Sequence, residues 1–122
     1  MIMVCRLTKE FFFEAAHTLP KVAEDHPCRR LHGHSYRVEV AVEGEVDPVM
    51  GWLYDHSQIS EVMNPIVDEL DHRYLNELPG LENPTVEALC AWIWKRLEPV
   101  CPGLCEIVIQ ETPRARCTYR GK

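Results

Sequence analysis

Two stretches of alternating polar and apolar residues constrain this chain more than any other feature. In residues 3–17, Met3, Cys5, Leu7, Phe11, Phe13 and Ala15 share one parity, broken only by Lys9. Arg6, Thr8, Glu10 and Glu14 share the other. In residues 34–46, Tyr36, Val38, Val40 and Val42 alternate with Arg37, Glu39 and Glu43. A period of two is that of a strand with one face in the core and one in solvent. Two such strands, joined by a Pro- and charge-containing connection, predict an antiparallel pair.

The rest of the chain supplies what covers that pair. Ile59, Val62, Met63, Ile66, Val67 and Leu70 fall on one helical stripe, which Asp55 or Ser57 can cap. Pro65 lies inside it and predicts a kink or local break. Val86, Leu89, Cys90, Ile93 and Leu97 form a second stripe. Asn83-Pro84 supplies an N-cap followed by Pro at the first helical position. Cys105, Ile107 and Ile109 alternate again as a third long strand, and a short strand is expected over Arg116–Tyr119. Trp52-Leu53-Tyr54 is expected to return from the Asp47–Gly51 turn as another short strand. The order β-β-(β)-α-α-β-β predicts an α+β domain spanning 1–122, with a mainly antiparallel sheet and both helices on one face.

Composition narrows function. A formal net charge of -6 argues against non-specific nucleic-acid binding. No apolar run approaches the roughly 18–20 residues of a membrane span. Arg6 interrupts the apolar N-terminus too early for a signal peptide, so a cytoplasmic location is expected. Six Cys and six His are many for 122 residues. The Cys positions contain no C-x-x-C pair, which leaves a zinc ribbon or a thioredoxin-like motif without support.

The histidines are organised where the cysteines are not. The apolar parity of the first strand, extended forward, reaches His17. That of the second, extended backward, reaches His34 and His32. Antiparallel pairing sets the end of the first beside the start of the second, so three imidazoles converge on the covered face. One strand-end His is ordinary; three brought together match a catalytic zinc centre with an open fourth position. Cys28, four residues before His32 and followed by Arg29 and Arg30, fits a fourth ligand, a reactive thiolate or a plain loop thiol. Asp71-His72 ends the first helix and suits proton transfer, although a helix C-terminus favours His by itself. Glu111 continues the buried parity of the third strand, where a carboxylate in a pocket could accept two adjacent N–H donors from an aminopyrimidine ring. Arg114, Arg116, Arg120 and Lys122 read as a solvated basic tail, and His26 and His56 as structural.

Cys28-x-x-x-His32-Gly33-His34, preceded by Phe13-Glu14-Ala15-Ala16-His17, resembles the 6-pyruvoyltetrahydropterin synthase family, in particular its bacterial 6-carboxy-5,6,7,8-tetrahydropterin synthase branch. Leu70-Asp71-His72-Arg73-Tyr74-Leu75-Asn76, Pro84-Thr85 and Glu111-Thr112 continue the match along essentially the whole chain. The resemblance implies the tunnelling fold, Zn2+ at His17, His32 and His34, a catalytic thiol at Cys28 and a proton-transfer pair at Asp71 and His72. It implies pterin anchoring by Glu111 with Thr112 nearby. It also implies a pterin triphosphate substrate, and self-association as a trimer or dimer of trimers with active sites between subunits. The expected reaction converts 7,8-dihydroneopterin triphosphate to 6-carboxy-5,6,7,8-tetrahydropterin, as in queuosine biosynthesis. A pyruvoyl-forming synthase, an aldolase on the same scaffold and a non-catalytic zinc-stabilised interaction module are the alternatives. One departure stands out: Pro113 follows the Glu-Thr pair where the family often has a second Cys.

Overall fold

The computed structural model describes residues 2–122. Strand β1 (Val4–His17) pairs along its whole length with β2 (His32–Glu45), from Val4 opposite Glu45 to His17 opposite His32. Helix α1 (His56–Leu70) follows, then a two-residue strand β3 (Arg73–Tyr74), helix α2 (Val86–Leu97), and strands β4 (Leu104–Thr112) and β5 (Ala115–Tyr119). The sheet order is β3-β1-β2-β4-β5, antiparallel except where β3 runs parallel to the end of β1.

The alternation produces the core directly. Phe11, Phe13 and Ala15 of β1 lie on the buried face with Tyr36, Val38, Val40 and Val42 of β2 and Ile107 and Ile109 of β4. Ile59, Met63, Ile66 and Leu70 of α1 and Leu89, Ile93 and Leu97 of α2 close over them. Burying a side chain of this size contributes roughly 1.5–3 kcal/mol, so the two helical stripes fix both helices to the same face. Among the described residues, no helix is long and apolar enough to cross a membrane.

Three local expectations change. Trp52–Tyr54 forms no strand: the Asp47 N–H donates to the Trp52 carbonyl (2.8 Å) and closes the turn on itself, leaving Trp52 half in solvent. The strand beyond the hairpin is instead Arg73–Tyr74, too short to show a period. Pro65 does not break α1, which runs continuously through it. Pro65 is exposed, so the carbonyl one turn back that loses its N–H partner faces water. Finally, α2 begins at Val86, not at Pro84: the Thr85 hydroxyl accepts from the Ala88 N–H (3.1 Å) as the cap. Pro84 thereby stays outside the helix, with its carbonyl available to the site described next.

Gly103 makes the turn into β4 possible. Its φ of 80° is left-handed, its carbonyl accepts from the Glu43 N–H (2.9 Å), and a Cβ there would stand 3.0 Å from the Glu43 carbonyl oxygen.

Candidate metal centre and active site

The β1–β2 register makes His17 and His32 cross-strand partners, with His34 two residues on along the same face. The ring centroids stand 4.5 Å (His17–His32), 5.1 Å (His17–His34) and 5.0 Å (His32–His34) apart. One nitrogen from each ring lies within 4.8 Å of one from each of the others.

Backbone carbonyls set two of the tautomers. His17 Nδ1 lies 2.8 Å from the Pro84 carbonyl and His32 Nδ1 lies 2.7 Å from the Arg30 carbonyl. A carbonyl only accepts, so each Nδ1 carries the proton and leaves the Nε2 lone pair free. His17 is 1% exposed, and its Nε2 is buried without a hydrogen-bond partner. His34 Nε2 is equally unpartnered: Glu111 Oε1 stands 3.2 Å away, off the line a hydrogen bond needs. An orphaned buried polar atom is costly. Two in one cluster, aimed together, fit a bound metal.

Burial lowers the pKa of His17, opposed by the Pro84 hydrogen bond and the Glu111 charge. It lowers that of His34 too, again opposed by Glu111. The neutral, ligating form is favoured in both. Three convergent imidazoles match the donor set of a three-His zinc site. Tyr36 forms the floor, stacked on Phe13 at 4.8 Å, with its hydroxyl pKa pushed up first by burial and then by Glu111.

No thiol belongs to this cluster among the described residues. Cys28 sits half-buried in a 3-10 turn over Pro27–Arg29. Its N–H donates to His26 Nδ1 (3.0 Å) and its carbonyl accepts from the Leu19 N–H (2.8 Å). Arg29 ties the same loop down through the carbonyls of Pro20 and Val22. His26 thus shapes the turn that presents the thiol.

The Asp71-His72 pair is held to β1 from two sides. The Glu14 N–H donates to Asp71 Oδ1 (2.9 Å), and the His72 N–H donates to the Glu14 carbonyl (2.6 Å). Asp71 Oδ2 lies 3.0 Å from His72 Nδ1. His72 takes a left-handed φ of 58°, uncommon for a residue with a Cβ and typical of functional positions. The Glu14 N–H, and next the His72 ring, hold the Asp71 carboxyl below the ordinary carboxylate range. The His72 side chain is 79% exposed and lines a groove of about 500 Å³ with His34, Gly33 and Ser35. Cys28 is not part of that groove.

Glu111 and Thr112 end β4. Both line a second groove of about 460 Å³ with Val86, Arg116 and Cys117. Of the basic tail, Arg116 enters this groove and Arg120 is engaged by Glu106 (3.0 Å). The sequence reading missed the Pro84 and Arg30 carbonyls, which leave no side-chain signal. It also missed Ser35, whose hydroxyl donates to the Glu14 carboxylate in the groove (2.7 Å to Oε2).

Fold and site together define an α+β domain built around a three-histidine cluster, and the chain belongs to the 6-pyruvoyl tetrahydropterin synthase family, whose pattern it matches over residues 6–122. It is 43% identical over 117 residues to the 6-carboxy-5,6,7,8-tetrahydropterin synthase of Synechocystis sp., covering 91% of this chain and 89% of that protein. It is 38% identical over 101 residues to the dihydroneopterin monophosphate aldolase of Pyrococcus furiosus, covering 83% and 82%. Its fold superposes on the structure of Caenorhabditis elegans 6-pyruvoyl tetrahydropterin synthase with a TM-score of 0.91 at 28% identity, covering 99% of this chain and 98% of that one. The architecture is the tunnelling fold expected from the sequence.

Proposed function

We propose that the protein is a zinc-dependent lyase that converts 7,8-dihydroneopterin triphosphate to 6-carboxy-5,6,7,8-tetrahydropterin, releasing acetaldehyde and triphosphate, in queuosine biosynthesis. The observation that carries this reading is the three-imidazole cluster with its orphaned nitrogens, in a chain 43% identical to a relative of that name. Zn2+ held by His17, His32 and His34 would supply a Lewis acid that draws charge from the substrate's side-chain oxygens. The remaining work falls to the chain. Cys28, as thiolate, takes and returns the proton on the side-chain carbon. His72, oriented by Asp71, exchanges protons with solvent through its exposed ring. Glu111, with Thr112 beside it, accepts from the ring's adjacent N–H donors.

The active site is proposed to lie between subunits. Within one chain the His72 groove reaches His34 but excludes Cys28. Among the described residues the sheet also ends in two free edges: β3 covers β1 only at Ala15 and Ala16, and β5 has no outer neighbour. Unlike edges that pair head to tail close a ring, here a trimer or a dimer of trimers. A soluble, cytoplasmic protein without nucleic-acid partners is part of the same reading.

A dihydroneopterin phosphate aldolase is the second reading, favoured by the 38% identity to a relative of that activity and by Pro113 in place of a second thiol. Incubation of the purified protein with 7,8-dihydroneopterin triphosphate, with products identified by mass, decides between them. Acetaldehyde, triphosphate and the carboxypterin are expected; glycolaldehyde triphosphate and a hydroxymethylpterin would overturn the first reading.

A further inference from the structure

Cys28 and the cluster histidine His32 are joined by a short stretch of chain that is tied down at each step. The Cys28 N–H donates to His26 Nδ1 (3.0 Å), and the Cys28 carbonyl accepts from the Leu19 N–H (2.8 Å). The Arg29 N–H donates to the His26 carbonyl (3.0 Å) and the Arg30 N–H to the Pro27 carbonyl (3.1 Å). The Arg30 carbonyl accepts from His32 Nδ1 (2.7 Å). One stretch therefore presents the thiol at its start and sets the tautomer of a cluster histidine at its end.

His26 opens this stretch as the N-cap of the 3-10 turn, in an extended backbone conformation (φ -70°, ψ 135°). An N–H only donates, so His26 Nδ1 accepts with its lone pair and the ring proton sits on Nε2. That is the opposite tautomer to His17 and His32, whose Nδ1 atoms face carbonyls. Among the described residues, His26 is the one side chain bonded to the Cys28 main chain. It is also exposed and outside the core, so its removal loosens the turn and leaves the sheet intact. A proton-transfer group works only at its proper distance, and a misplacement of about 1 Å can cost roughly 10²-fold in rate. We infer that His26 is a positioning residue for the reaction: its Nδ1 lone pair caps the turn and thereby fixes the Cys28 thiol relative to the His32 end of the metal cluster. This inference rests on the catalytic role proposed above for Cys28.

The test measures kcat and KM of the full-length, zinc-loaded protein with 7,8-dihydroneopterin triphosphate, counting total pterin product whichever aldehyde leaves. His26→Ala is expected to lower kcat at least about tenfold, with KM within about twofold of wild type and metal content unchanged. His26→Asn places an acceptor where Nδ1 stood, and Asn is a favoured N-cap; kcat is expected to return to within about threefold of wild type. His26→Gln sets its amide oxygen one carbon too far. It is expected to fall as Ala does, and it carries the test should the Ala variant not fold. Iodoacetamide labelling of Cys28 needs no turnover; it is expected to quicken at least about threefold in His26→Ala as the turn loosens, and to return to the wild-type rate in His26→Asn. Wild-type kcat or an unchanged labelling rate in the Ala or Gln variant overturns the inference. So does a His26→Asn enzyme as impaired as Ala, since the ring and not the cap would then do the work, and so does loss of metal from folded His26→Ala. Cys28→Ala is measured alongside. An inactive Cys28→Ala beside a fully active His26→Ala overturns the positioning role alone, whereas an active Cys28→Ala removes the thiol's role and this inference with it.

Discussion

His17 and His72 are both proposed to serve the same reaction, yet they are built in opposite ways. His17 is almost fully buried, its Nδ1 bound to a carbonyl and its Nε2 without a partner. Sheet register and burial set its position. His72 is mostly exposed, on a left-handed residue hooked to β1 through the Glu14 backbone. A metal ligand must stay neutral with its lone pair aimed, and burial beside a carbonyl does both. A proton carrier must exchange with water, which burial would prevent. The two histidines differ as those tasks differ.

Three substitutions press on that contrast, starting with the largest effect. His17→Ala should abolish both metal binding and turnover, since two imidazoles do not make the site; metal content by atomic emission checks the first half. Cys28→Ala should abolish turnover while metal content holds at the wild-type level. Loss of the metal in that variant would make Cys28 a ligand and undo its assigned role. His72→Ala should keep the metal and lower kcat by about 10²–10⁴, the usual range for a general acid–base residue. A His72→Ala enzyme that lost metal as His17→Ala does would erase the distinction between the two stations.

Much of this was legible in the sequence because it follows from periodicity. Strand parity alone placed His17, His32 and His34 on one face, and the β1–β2 register confirms that geometry. Both helical stripes were equally plain, because burial and spacing carry the same information. What escaped depends on backbone. That α2 starts after Pro84, whose carbonyl then sets the His17 tautomer, has no residue-type signature. Neither has the return of chain at Arg73–Tyr74, too short for a pattern. The Trp52–Tyr54 strand failed because the Asp47 turn consumed the backbone groups a ladder needs. The approach of Glu111 to His34 joins β2 to β4, a pairing that parity suggests but cannot register.

The thiols extend the contrast from histidine to cysteine. Cys90 and Cys101 are buried, and desolvation pushes both thiols up, away from the reactive thiolate. Cys28 is only half-buried on a surface turn. Iodoacetamide at neutral pH should therefore label Cys28 at least tenfold faster than Cys90 or Cys101 in the folded protein, as peptide mass mapping would show. Equal labelling would mean that burial does not divide the cysteines as it divides the histidines.

The smallest expected effect lies in the contact that holds His72. Asp71 is half-buried, and its carboxyl is held below the ordinary range first by the Glu14 N–H and then by the His72 ring. A depressed folded-state pKa adds stability that is fully present above the unfolded carboxylate value and is lost as pH falls through the folded one. Asp71→Asn removes that titration. The wild-type protein should therefore lose stability relative to Asp71→Asn as pH falls from the ordinary carboxylate range downward, while their difference stays constant at neutral pH. Denaturant midpoints at a series of pH values measure this. A difference that does not change with pH would show that the amide replaces the carboxylate on the Glu14 N–H without loss, so that the turn carrying His72 is held by backbone alone. His72 would then resemble His17 after all in one respect: its orientation would rest on a main-chain group that no side-chain substitution can remove.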